Sequence, residues 1–156
     1  MSSEGSAPAE PRVRERGDGT LREVSYGGLV VRGELSAGTA ELIAVVPRGK
    51  RALALPKGGA FSEAETGEQV ALREVREETG LVARVRESLG SVDYWYRRGG
   101  RRVFKSVHFY LCDYIDGDIG DHDDEVDEVR WVPLEQAETA LSYRGERAIA
   151  RRAPAR

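Results

Sequence analysis

Apolar positions come in short β-prone runs, interrupted by glycines and by one long, heavily charged helical stretch. Leu29-Val30-Val31 follows Gly27 and Gly28 in a segment, 23–32, that reads as a strand. Residues 41–47 (Glu-Leu-Ile-Ala-Val-Val-Pro) read as a second strand and 52–55 as a short third piece. Strand patterns return at 81–89, 92–96 and 103–111, and the last two flank Arg98-Gly99-Gly100-Arg101, a hairpin-turn signature. Val129–Val132 gives a final short strand. Two helices are predicted. One spans Gly67–Thr79, with Thr66 and Gln69 at capping-box spacing and Gly80 as its C-terminal cap. The other covers Leu134–Leu141 after Pro133, with a turn or short helix following in 144–152. Strands with one central and one late helix predict a mixed α/β domain, its helices packed on a sheet.

The chain has 156 residues, enough for one domain with a single core. Residues 1–19 and 151–156 offer little to bury and are expected as tails, leaving 20–150 as the folded unit. Cys112 is the one cysteine, so an intrachain disulfide is excluded, and it reads as a small core residue at a strand end. No stretch has the length of an apolar membrane span and no apolar leader opens the chain, so the cytoplasm is the expected compartment. Net charge is only −3, which gives no general bias toward nucleic acid, but the signs are segregated. Arg97, Arg98, Arg101, Arg102 and Lys105 make one basic stretch, and 113–128 holds nine carboxylates.

On a helical wheel with Ala71 at zero, Ala71, Val75, Thr79 and Leu72 span an apolar arc of about 100°. Glu77, Glu74 and Glu78 fall at about 240°, 300° and 340°, one carboxylate stripe beside that arc. Glu74 and Glu78 stand at i,i+4 spacing, where like charges repel unless a hard divalent cation sits between them. By geometry alone a solvated charged face is the commoner outcome. The preceding Leu55-Pro56-Lys57-Gly58-Gly59 loop adds a backbone that a phosphate can approach and a lysine to meet it.

Together these residues resemble the Nudix hydrolase box, G-x5-E-x7-R-E-U-x-E-E-x-G-U, with U a bulky aliphatic residue. Here it is filled by Gly59, Glu65, Arg73, Glu74, Val75, Glu77, Glu78, Gly80 and Leu81, nine positions in a 23-residue window. Gly58 and Gly59 are both present, which leaves open which carbonyl would face a metal. The resemblance implies a Nudix-type α/β/α sandwich with a mixed central sheet. It implies hydrolysis of a phosphoanhydride bond with Mg²⁺ (or Mn²⁺) as cofactor. Glu74, Glu77 and Glu78 would be metal ligands, with Gly58 or Gly59 contributing backbone. Arg73 would steady a box glutamate, Glu65 would support the loop, and Glu125 and Glu128 are candidates for an extra carboxylate, against a solvated acidic turn.

The box gives reaction type and not substrate. Tyr94 and Tyr96 share one strand face and Trp95 takes the other. A tyrosine at this distance beyond the box resembles Nudix enzymes that cleave dinucleoside polyphosphates of the Ap4A and Ap6A type, one ring stacking on a base; core filling is the alternative. With Lys57, the basic hairpin residues Arg101 and Lys105 and the strand residue His108 complete the expected substrate contacts. The expected partner is a small nucleotide or polyphosphate, without membrane or nucleic acid, on a monomer or homodimer. Two rivals stand beside this reading. One is a (d)NTP pyrophosphohydrolase of the sanitising type, and the other a non-catalytic nucleotide-sensing module.

Overall fold

The computed structural model describes residues 12–155. In chain order these form β1 (Arg12–Glu15), β2 (Leu21–Arg32), β3 (Glu41–Pro47), β4 (Lys57–Gly58), α1 (Gly67–Thr79), β5 (Leu81–Arg98), β6 (Arg101–Gly117), β7 (Val126–Pro133), α2 (Leu134–Ala140) and α3 (Arg144–Arg152). One mixed sheet runs in the order β5-β6-β2-β3-β7, with β1 and β4 both pairing to β2. β2 and β6 are parallel, while the other pairings are antiparallel.

Alternation along β2 splits the core into two layers. Leu29 and Val31 pack with Phe109, Leu111, Leu134, Leu141 and Ile149 beneath α2 and α3. Val30 looks the other way and packs with Ile43, Val45, Cys112 and Val75 beneath α1. The sheet is therefore covered by helix on both faces, the sandwich expected from the sequence. Phe109 is 1% exposed, and its truncation to alanine would cost about 3–5 kcal/mol. Burial pushes the Cys112 thiol up to about 12, so it behaves as an apolar core group.

α1 begins and ends where the sequence predicts. Thr66 accepts from the Gln69 amide, Gln69 returns a bond to the Thr66 N–H, and Gly80 closes the helix at φ 80°. The β5–β6 turn is a two-residue hairpin with Gly99 at φ 57° and Gly100 at φ 80°, a type I′ geometry that needs φ > 0 twice.

Three expectations change. The 81–89 and 92–96 strands are one strand, β5, whose register shifts at bulges. Gly90 sits at one of them with φ 94°, and Arg152 donates to the Leu89 carbonyl beside it at 2.7 Å. Part of the expected N-terminal tail is strand: β1 pairs with Leu21–Val24, and Arg101 ties its end through Glu15 and the Gly19 carbonyl. Residues 1–11 lie outside the described ones. At the other end Arg151 and Arg152 belong to α3, and Ala153 is buried in the turn that follows. Among the described residues no helix is long and apolar enough to cross a membrane.

Candidate active site

The centre of the site is the carboxylate stripe of α1, facing the β4 backbone. Glu74 is 4% exposed, and its carboxylate lies against the Cα of Gly58. A Cβ at that position would come within 2.3–2.6 Å of the Glu74 carboxylate atoms, so any larger residue there would displace that carboxylate. Gly59 differs: its carbonyl accepts from Arg73 Nη2 at 2.9 Å. Gly58 thus faces Glu74, and the Gly59 carbonyl is engaged by Arg73.

Arg73 holds the site together from behind. It makes a two-pronged contact with Glu65, at 2.9 and 3.0 Å, and donates to Glu74 Oε2 at 3.0 Å. Its guanidinium lies 3.6 Å from Glu77 and stacks on the Phe61 ring at 3.8 Å. Glu65 also accepts the Phe61 N–H at 2.6 Å, which fixes the loop between β4 and α1. With every direction of Arg73 engaged by protein, it acts as a brace.

The carboxylates are crowded. Burial and then the charge of Glu77 push Glu74 up to about 7. Burial, then the charge of Glu74, raise Glu78 well above the ordinary carboxylate range. Burial also raises Glu77, with Asp123 adding to it, and Glu125 is raised by burial, Asp123 and Glu77. Asp123 and Glu125 therefore belong to the cluster's rim, and the Asp123 N–H binds the Glu77 carbonyl at 2.8 Å. Glu128 does not belong to it. Both it and its partner Arg130, 3.1 Å away on β7, are half exposed.

Among the described residues no group of three or more His, Cys, Asp or Glu side chains is arranged to hold a metal ion. The donor set nonetheless suits a hard cation. It is all oxygen, and the mutual repulsion of Glu74, Glu77 and Glu78 that adds to burial in raising their proton affinity is what a cation would relieve.

The substrate contacts expected from sequence divide sharply. Lys57, on β4, donates to Glu146 Oε2 at 2.9 Å and lies 5.7 Å from the Tyr143 ring centre. Burial would lower its proton affinity, but Glu146, aided by Glu78, outweighs this and the net shift is upward. Tyr94 is 44% exposed and its phenol is raised by burial, with Lys57, Glu23, Glu146 and Tyr143 as its electrostatic neighbours. Lys57 is thus the link between the carboxylates and an exposed pair of tyrosines. Tyr96 sits beside Tyr94 at 6.3 Å between ring centres, but its hydroxyl is committed to Glu23.

Lys105 is a correction. It is 7% exposed and bonded to Glu23 and to Ser25 Oγ, with burial as the main reason its pKa is lowered, so it offers nothing to a phosphate. Arg101 is spent on Glu15 and the Gly19 carbonyl, Arg97 binds Gly100, and Arg102 stacks on Trp95 at 4.2 Å. His108 is a second correction. Its register partners are Tyr26 and Ser91, which puts it on the sheet face opposite Tyr94 and Lys105, against the Tyr26 ring at 5.9 Å. Glu146 and Tyr143 were missed because nothing local marks them; they lie 89 and 86 positions beyond Lys57.

This carboxylate helix, its glycine loop and its two-sided sandwich match a family model for the NUDIX domain over residues 29–152. The chain belongs to the Nudix hydrolase family. It is 43% identical over 135 residues to a putative mutator protein MutT4 of Mycobacterium tuberculosis, covering 84% of this chain and 54% of that protein. It is 36% identical over 98 residues to an 8-oxo-(d)GTP phosphatase of Mycolicibacterium smegmatis, covering 63% of this chain and 29% of that protein. The chain thus spans about half the length of one relative and less than a third of the other. A Caenorhabditis elegans Ap4A hydrolase in a binary complex has the same fold, with TM-score 0.67 at 23% identity over 85% of this chain and 95% of that one.

Proposed function

We propose that this protein hydrolyses a phosphoanhydride bond of a nucleoside triphosphate in the cytoplasm, using a divalent cation held by Glu74, Glu77 and Glu78. The observation that carries the reading is the carboxylate stripe of α1 against Gly58, with buried Glu74 raised to about 7 and Glu78 beside it also raised well above the ordinary range. Such crowding costs stability and serves a purpose only when a cation relieves it. When bound, Mg²⁺ or Mn²⁺ would offset phosphate charge and lower the pKa of an attacking water. Glu74 Oε2 is fixed by Arg73, which leaves Oε1 to orient that water or take its proton. Lys57 meets a phosphate oxygen as a point charge, and the Tyr94 and Tyr143 rings offer stacking surfaces for a base beside it. Glu125 is placed to add a carboxylate at the rim.

A nucleoside triphosphate is favoured over a longer polyphosphate because the cations of the basic hairpin already have partners within the protein. Of its five cations Lys105 is buried, while Arg98 is paired with Glu23 at 2.7 Å and Arg101 with Glu15 at 3.0 Å, both nearly half exposed. The names of the two mycobacterial relatives agree with a sanitising role. Dinucleoside polyphosphate hydrolysis is the second reading, favoured by Tyr94 and Tyr96 sharing one face as a stacking surface. Product identification by ³¹P NMR separates them. Pyrophosphate and a mononucleotide are expected from dGTP or 8-oxo-dGTP, whereas ATP released from Ap4A would favour the second reading. No turnover of any diphosphate with Mg²⁺ or Mn²⁺ would leave a non-catalytic module.

A further inference from the structure

Glu146 is an unusual residue for the first turn of a short C-terminal helix: an acid only 4% exposed, with both oxygens committed. Oε1 accepts the Leu55 N–H at 2.8 Å and Oε2 accepts Lys57 Nζ at 2.9 Å. Lys57 lies on β4 and Leu55 two residues before it, on the segment that leads into the site. α3 is itself held firmly there, since Gly145 packs so close to Val92 that a Cβ would approach its Cγ1 to 2.3 Å.

The alternative partners of Lys57 define what this contact prevents. The residue after Lys57 is Gly58, whose Cα abuts the Glu74 carboxylate, and the Lys57 ammonium already lowers the proton affinity of Glu78. A lysine is a point charge on a flexible four-carbon stem. Released from Glu146, it would be drawn to Glu78, the box carboxylate that already feels its charge and that neighbours Glu74. A lysine bound there would place one positive charge where the cation belongs and occupy the oxygens it needs.

We propose that Glu146 is a positioning residue that holds the Lys57 ammonium on the phosphate side of the site and off Glu74 and Glu78, leaving those carboxylates free for the divalent cation. The proposal rests on the metal-dependent reading above. It predicts a coupling between Glu146 and Lys57 that appears in metal binding, with no substrate present.

The test is Mn²⁺ titration of the purified protein by calorimetry and by electron paramagnetic resonance, with folding checked by thermal melting. Wild type is expected to bind Mn²⁺, and Glu78→Gln to lose that binding. Glu146→Gln keeps an acceptor for the Leu55 N–H but loses the charge that holds Lys57, so its Mn²⁺ affinity is expected to fall about tenfold. In a Lys57→Met background the same change is expected to have little effect, because no ammonium remains to compete. Equal weakening in both backgrounds would mean that Glu146 acts only on backbone structure and would overturn the proposal. So would an unchanged affinity in Glu146→Gln. Should that variant not fold, Glu146→Asp, charged but too short to span Leu55 and Lys57 together, carries the same comparison. Absence of Mn²⁺ binding in wild type would instead overturn the metal-dependent reading, and this inference with it.

Discussion

Arg73 and Glu65 meet through two parallel contacts, Nε to Oε2 at 2.9 Å and Nη2 to Oε1 at 3.0 Å, with both side chains about four-fifths buried. The same guanidinium spans Gly59, Glu74 and Glu77, so its planar fork sets the loop and the carboxylates at once. Lysine lacks that fork. Arg73→Lys is expected to lower kcat at least about tenfold while the protein remains folded, measured by steady-state hydrolysis with a thermal melt as control. Retention of full activity would show that charge alone suffices there.

Activity and stability are expected to move in opposite directions at Glu78. Glu78→Gln removes a buried acid whose proton affinity is raised by Glu74. In EDTA the variant is expected to be as stable as wild type or up to about 1 kcal/mol more so. Its Mg²⁺-dependent kcat should fall by at least about 100-fold, and the rise in Tm that Mg²⁺ gives wild type should disappear. Urea denaturation with and without Mg²⁺ checks all three.

The pH dependence of the metal-free protein has a definite sign. Glu74 is raised from the ordinary 4.5 to about 7, so between those values the folded state binds more protons than the unfolded one. Stability from this group is present below about pH 4.5 and declines as pH rises toward 7, by an amount on the order of 1–3 kcal/mol. Glu23 works oppositely. Burial alone would raise it, but Lys105, Tyr96 and Arg98 hold it below the ordinary range, so its contribution is kept above that range and lost in acid. A maximum in urea midpoint between pH 4 and 5.5 (approximate bounds from these two shifts) is expected in EDTA, and added Mg²⁺ should flatten the decline toward neutrality. A midpoint that instead climbs from pH 5 to 7 in EDTA would contradict the raised carboxylates.

The two faces of β5 are expected to behave differently. Tyr94 and Tyr143 are exposed beside Lys57, and Trp95 lies on the other face, stacked with Phe104 at 5.0 Å. Tyr94→Ala and Tyr143→Ala are each expected to raise KM about tenfold, the size of a lost stacking contact. Trp95→Ala should leave KM within about twofold, since it touches nothing on the substrate face. A KM rise in Trp95→Ala larger than in Tyr94→Ala would move the substrate to the opposite face.

What was legible in the sequence was local. The capping box, Gly80 and the spacing from Gly59 to Leu81 lie within one short window, and backbone geometry turns such spacing directly into a helix with a carboxylate stripe. Strand alternation likewise placed Tyr94 with Tyr96 and set His108 apart from Lys105. What alternation lacks is which face looks toward the site, and His108 fell on the other one. Lys105 was misread because formal charge says nothing of partners already built into the fold. Lys105 meets Glu23 across 82 positions and Arg101 meets Glu15 across 86. Glu146 was invisible for the same reason, since a lone glutamate on a late helix carries no local sign of a lysine 89 residues earlier.

The dependence of Lys57 on α3 also bears on how the protein comes into being. During synthesis the glutamate helix and its glycine loop leave the ribosome well before residues 144–152. A nascent chain can therefore form α1 against β2 and β3 while Lys57 still lacks its acidic partner. The site becomes complete only when α3 docks and Glu146 reaches Leu55 and Lys57, with Arg152 closing the bulge at Leu89. The contact that holds Lys57 is thus made only once residues 144–152 have packed against the segment that precedes α1.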